Sequence, residues 1–134
     1  MSINVSKLEK KIGINFKNKD ILAKSLTHKS FNSIDNNEKL EFLGDRVLGL
    51  IISKKLLEIF PNDKEGILDK KLASLVNRKK CCEISKKFNL DKYLITGNFK
   101  SKKNIIEDKI MSDACEALIG AIYLDQGFNI VEKF

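Results

Sequence analysis

Three carboxylates stand at helical spacing inside a mostly apolar run. In Asn37-Glu38-Lys39-Leu40-Glu41-Phe42-Leu43-Gly44-Asp45-Arg46-Val47-Leu48-Gly49-Leu50-Ile51-Ile52, the acids Glu38, Glu41 and Asp45 recur at i, i+3 and i+7. At about 100° per residue they share one narrow arc of a helix, whereas Lys39, Arg46 and Ser53 define a different, solvent-facing arc. Leu48 and Ile52 continue the acidic arc, which puts the acids at the mouth of a face that soon becomes core. Carboxylates crowded there repel one another and resist desolvation unless a cation neutralises them. A second apolar run, Asp113-Ala114-Cys115-Glu116-Ala117-Leu118-Ile119-Gly120-Ala121-Ile122-Tyr123-Leu124, again carries two acids at i and i+3. Either set alone reads most simply as a solvated helix face. Both together, bounded by Leu, Ile and Ala, point to two helices that face each other and form a carboxylate cage. Oxygen-only ligands suit magnesium or manganese better than zinc or copper.

The rest of the chain supplies the elements that must position these acids. Residues 5 to 12 and 19 to 27 read as short helices, the second with Asp20 near its start and Ile21, Leu22 and Leu26 as its buried stripe. His28, the single histidine, sits at that helix end, where a hydrogen-bonded structural role outweighs a general base. The polar stretch from Asn32 to Asn37 delivers the chain into a long central helix, roughly residues 37 to 60, which Pro61 stops. Asn62-Asp63-Lys64-Glu65 resembles a capping box and makes Glu65 a cap acid. Ile67, Leu68, Leu72, Leu75 and Val76 then predict one amphipathic helix running to about Phe88. After the connector from Asn89 to Leu94, the stretch from Gly97 to Asn104 reads as an exposed basic loop. Its Lys100, Lys102 and Lys103 could touch phosphates or simply be solvated. The last full helix spans roughly 105 to 125, with Ala114, Ala117, Gly120 and Ala121 small enough for another helix to approach closely. Gly127 ends it and Phe128 begins another.

With 134 residues, 43% of them hydrophobic and only one proline, the chain is long and apolar enough for a single folded all-α domain. A net charge of +7, carried almost wholly by Lys with Arg only at positions 46 and 78, points to a polyanionic partner. Lysines act as point charges on phosphates more than as base-reading forks, so contacts of low sequence specificity are expected. Cys81, Cys82 and Cys115 show no metal-binding spacing and read as reduced thiols of a cytosolic protein. No apolar stretch approaches a membrane span and the N-terminus has no secretory core, so a cytoplasmic protein without membrane contact is expected.

The run from Asn37 to Asp45 resembles the signature of the ribonuclease III catalytic domain. The match continues in order through Leu26-Thr27-His28-Lys29-Ser30, through Phe60-Pro61-Asn62 with Glu65-Gly66 behind it, and through Asp113 to Ala121. It covers essentially the whole chain. The resemblance implies that residues 1–134 form an all-α catalytic domain built on a long central helix. It also implies a homodimer that cuts double-stranded RNA, ribosomal RNA precursors included, with magnesium, for which manganese can substitute. Products would carry 5′-phosphate and 3′-hydroxyl ends with short 3′ overhangs. The C-terminal double-stranded RNA-binding domain that such proteins usually carry is absent from this chain. By motif, Glu41, Asp45, Asp113 and Glu116 would form the metal set, and Glu38 and Glu65 would be further acids near the cleavage site. The catalytic residues implied are thus Asp45, Glu116, Glu38 and Glu65, and RNA contacts would fall to Lys100, Lys102 and Lys103. Phe42 would be the dimer-interface aromatic that inserts into the partner, although periodicity alone equally allows a core Phe. Arg46 and Lys39 depart from the residues most frequent in the family, both on the wetter arc. A non-catalytic scaffold for duplex RNA with the same fold is the alternative, and intact acids at all six positions speak against it. A di-iron helix bundle would need Glu-x-x-His pairs, and His28 lies in none.

Overall fold

The computed structural model describes residues 5–97 and 108–133, which form seven α-helices: α1 (Val5–Ile12), α2 (Lys19–Ser25), α3 (Glu38–Ile59), α4 (Glu65–Leu75), α5 (Arg78–Lys87), α6 (Asp108–Gln126) and α7 (Phe128–Lys133). A single 3-10 turn at Leu90–Lys92 and one isolated bridge between Thr27 and Ile95 complete the regular structure among the described residues. The all-α expectation holds, and the long helix ends at Ile59, two residues before Pro61.

Although α3 is the longest helix, α6 is the buried one. It is apolar around most of its circumference, and α2, α3, α5 and α7 all pack on it, with α3 the most extensive neighbour. Ala114, Ala117, Leu118, Ala121 and Ile122 are sealed from solvent, as a helix without a polar stripe has to be. On α3 the core face is Leu40, Gly44, Val47 and Ile51, at spacings of four, three and four. The acidic arc therefore flanks the core instead of running into it: Leu48 and Ile52 are only half-buried. That displacement leaves the carboxylates on the seam between α3 and α6, partly dry and partly wet.

Two glycines set the depth of this seam. A Cβ on Gly44 would fall inside the contact radius of the Glu116 carbonyl oxygen, and one on Gly120 inside that of the Leu40 carbonyl oxygen. The two backbones thus touch directly. Small residues on α6 were expected to permit such an approach; the reciprocal Gly44 on α3 completes it.

Three boundaries differ from the sequence expectation, each for a local reason. Helix α2 stops at Ser25 because Leu26 and Thr27 turn to pair with residue 95: Ile95 N–H donates to the Leu26 carbonyl and His28 N–H to the Ile95 carbonyl, both at 2.8 Å. The single helix expected from 65 to 88 is two, broken at Val76 and Asn77. The Asn77 side chain donates to the Ala73 and Ser74 carbonyls at the end of α4 and accepts from Lys80 N–H at the start of α5, so one amide caps both helices. No capping box forms at α4 either. Its first residue is Glu65, its N-cap Lys64 makes no side-chain cap, and Asp63 turns away to Lys71 at 2.5 Å.

Replacing Gly44 by Ala should destabilise the domain by about 3 kcal/mol, because the added methyl meets backbone that can yield only by separating two helices. Denaturant unfolding of Gly44→Ala against wild type measures this; a change under about 1 kcal/mol would show that the seam is not tight.

Candidate metal centre

The seam brings the two acidic motifs together. Glu41 lies one turn inside α3, and Asp113 and Glu116 lie one turn apart on α6, flanking Ala114 and Cys115 of the buried face. One carboxylate oxygen from each of Glu41, Asp113 and Glu116 falls within 4.8 Å of the other two. All three side chains are half-buried. Glu41 stands beside Asp113, and Glu116 beside Asp45, so that the charges of each pair bear on one another. Two carboxylates held together partly out of water resist ionising at the same time. Accordingly Glu41 is pushed up to about 7, first by burial and then by the Asp113 charge. Glu116 is pushed up to about 9, by burial and then by the neighbouring Asp45 carboxyl. An all-oxygen set whose members cannot ionise together without added positive charge fits a hard divalent cation.

Two hollows open onto this set, and Asp113 is shared between them. The larger, about 220 Å³, is lined by Asp45, Glu116, Asp113, Ser112, Cys81 and the Val76–Arg78 break. The smaller, about 80 Å³, is lined by His28, Lys29, Asn37, Glu38, Glu41, Lys109 and Asp113. The helix break between α4 and α5 thus has a local consequence: it brings Asn77 and Arg78 to the wall of the larger hollow.

Not every acid expected at the site converges on it. Asp45 lines the larger hollow, but it is not one of the three whose oxygens cluster, and its Oδ2 is held by Arg46 Nη1 at 2.6 Å. Glu38 stands at the rim of the smaller hollow, beside Glu41. Glu65 lies elsewhere, in a separate hollow with Ser53, Leu56, Leu57 and Leu72; the twelve helical residues from Glu41 to Ser53 correspond to about 18 Å. Phe42 is 63% exposed, which overturns the reading as core Phe, and the Arg46 guanidinium lies 4.6 Å from its ring centre. Lys100, Lys102 and Lys103 fall outside the described residues.

Two side chains in the smaller hollow escaped the sequence reading. His28, read as structural, does make local bonds: its Nδ1 lies 2.8 Å from Ser30 Oγ and accepts from Ser30 N–H at 3.1 Å, while Ser30 Oγ accepts from Gly97 N–H. It nonetheless faces Glu38, Glu41 and Asp113 across the hollow, and burial followed by the Lys29 charge lowers its pKa. Lys109, which carried no signal beyond its i, i+4 spacing to Asp113, holds Asp113 Oδ2 at 2.8 Å. The three cysteines are free thiols; Cys81, and then burial, push the Cys115 thiol up. No helix among the described residues is long and apolar enough to cross a membrane.

A family model described as Ribonuclease-III-like matches residues 18–134. The chain belongs to the ribonuclease-III-like family. It is 65% identical over 134 residues to "Ribonuclease 3" of Pelagibacter ubique, covering 100% of this chain and 60% of that protein. Against "Ribonuclease 3" of Azotobacter vinelandii the identity is 43%, over 99% of this chain and 58% of that one. The chain therefore spans about 60% of the length of these curated relatives. Among solved structures it is similar to the nuclease domain of ribonuclease III from Campylobacter jejuni, with a TM-score of 0.91 and 41% identity over 97% of this chain and 92% of that one. That structure is described by the flexibility of a region involved in its dimer formation.

The protonated acids of this ribonuclease-III-like domain give a signed pH dependence. Glu41 and Glu116 start from an ordinary value of 4.5 in the unfolded chain, so between there and about 7 and 9 the folded state binds more protons than the unfolded one. Stability must therefore fall as pH rises through that window. Thermal melting in the presence of a chelator should show Tm decreasing from pH 5 to pH 9, and Glu116→Gln should flatten the alkaline part. Manganese affinity should move the other way, rising with pH because the protons have to leave first. A flat apo profile across that window would remove the electrostatic argument.

Proposed function

We propose that this domain hydrolyses phosphodiester bonds of double-stranded RNA, with magnesium held by Glu41, Asp113 and Glu116 and with Asp45 completing the set. The convergence of those three carboxylates across the α3–α6 seam, in a member of this family, carries the reading. A divalent ion held there supplies an acidified water and charge to offset the phosphate. The reaction itself is balanced by water alone: its oxygen bonds to phosphorus, the bond to the 3′ oxygen breaks, and the products are a 5′-phosphate and a 3′-hydroxyl. No Ser or Cys nucleophile is needed, and the buried Cys115 thiol, with its raised pKa, is ill suited to be one. The protein's own part is to hold the acids in place from two rigid helices and to keep them half-dry, where their charge acts at short range. Its net charge of +7 favours a polyanion, and duplex RNA is read by shape and phosphates more than by base edges.

The active form on this reading is a homodimer. Phe42, Leu50 and Leu57 are exposed at spacings of eight and seven residues, which puts them on one outward face of α3. An apolar stripe of that length on a helix whose other face is core suits a second copy of the chain. Glu65, remote from its own chain's cluster, could serve a cleavage site only across such a pairing.

Incubation of long duplex RNA with the protein and magnesium should yield discrete 5′-phosphorylated fragments, with manganese substituting. Glu116→Gln should cut at least about a thousandfold more slowly while still binding duplex, since one ligand is lost from a preformed site. Duplex that the wild type binds but never cuts would reduce the domain to a binding module. Separately, Phe42→Ala should weaken self-association about tenfold or more by light scattering, whereas a wild type that is monomeric at micromolar concentration and cuts both strands would exclude the dimer.

A further inference from the structure

The Lys109 ammonium is in a place that local helix physics does not favour. Its partner Asp113 lies four residues toward the C-terminus, the weaker of the two orders for an i, i+4 ion pair. The ammonium lies against Asp113 Oδ2 at 2.8 Å and lines the smaller hollow with Glu38, Glu41 and His28. What holds it is the surplus negative charge of the acids: the Asp113 hydrogen bond and charge, with the Glu41 charge behind them, hold its pKa above the usual lysine value.

We propose that Lys109 is a tethered counter-ion of the carboxylate site, which occupies Asp113 in the metal-free protein and must surrender it to a divalent cation, so that it sets how tightly the site takes its metal. This rests on the metal-binding reading above. The geometry makes the competition direct. The Asp113 side chain is 17% exposed and belongs to the three acids whose oxygens converge among the described residues, so a Lys109 ammonium on this carboxylate and a cation bound to it repel each other. Lys109 itself is 58% exposed, so it can leave at little packing cost. A lysine at the rim thus stabilises the empty cage and raises the metal concentration at which the site fills. The residue acts through Asp113 and is a positioning residue.

The test is manganese binding to the whole chain by calorimetry, without RNA. Lys109→Gln should bind Mn2+ about three- to fivefold more tightly than wild type, the range expected when a half-exposed ion pair stops competing. Lys109→Arg, which can still hold Asp113, should bind as wild type does. Lys29→Gln is the control for diffuse charge: Lys29 lines the same hollow without pairing with Asp113, so its removal should change affinity less than about twofold. Metal-free Lys109→Gln should also melt lower at pH 8 than wild type, since the acids lose their neutralising group. Unchanged or weaker Mn2+ binding in Lys109→Gln, or an equal gain in Lys29→Gln, overturns the proposal while leaving the metal site standing. A wild type that takes up no Mn2+ at all overturns both.

Discussion

The direct backbone contact between α3 and α6 at Gly44 and Gly120 is the constraint on which the rest of the molecule depends. Helix axes usually stand apart by the width of their side chains, and here two missing side chains remove that spacer. With larger residues at these positions the helices would separate, and Glu41 would move out of reach of Asp113 and Glu116. The contact also explains the apolar girth of α6, since a helix gripped this closely by α3 on one side and by α2, α5 and α7 on others keeps little of its middle open to water. Structure and site are thus specified by the same few residues.

The cost of that arrangement is electrostatic. Packing four acids against a core raises the pKa of Glu41 and Glu116 and would destabilise the fold if nothing offset it. The metal-free protein offsets it in three ways: protons retained by Glu41 and Glu116, the Arg46 guanidinium on Asp45, and the Lys109 ammonium on Asp113. Each is a weaker substitute for a doubly charged ion. Sites that carry such unrelieved repulsion are where proteins trade stability for function.

The outward side of α3 shows a second departure from simple globular packing. Phe42, Leu50 and Leu57 are exposed on a helix whose opposite face is core, and α4, which packs on α3, has no buried residue. Arg46 links this face to the acids, because its guanidinium touches both the Phe42 ring and the Asp45 carboxylate. Anything that moves Phe42 therefore bears on Asp45.

Much of this was legible in the linear chain, because helical periodicity is a local property. Spacing alone put Glu38, Glu41 and Asp45 on one arc and Asp113 and Glu116 on another, and the small residues of the second run already required a close neighbour. Pro61 and Gly127 ended their helices as backbone chemistry demands. What remained beyond the sequence was everything that depends on which atoms meet across elements. The break at Asn77 was hidden because apolar periodicity continues through it, and only the side chain's two-sided hydrogen bonding reveals the cap. Asn62 to Glu65 looked like a capping box, but the helix starts at Glu65 itself with Lys64 as an N-cap that makes no side-chain bond. Glu65 read as a cap acid from its neighbours and as a further site acid from the family resemblance, and α4 carries it to the far half of α3. Phe42 could have faced the core or the solvent, and the path of α6 decided for solvent. Lys109 looked like one more surface lysine until the fold brought Glu41 to join Asp113 and gave its charge a reason to turn inward.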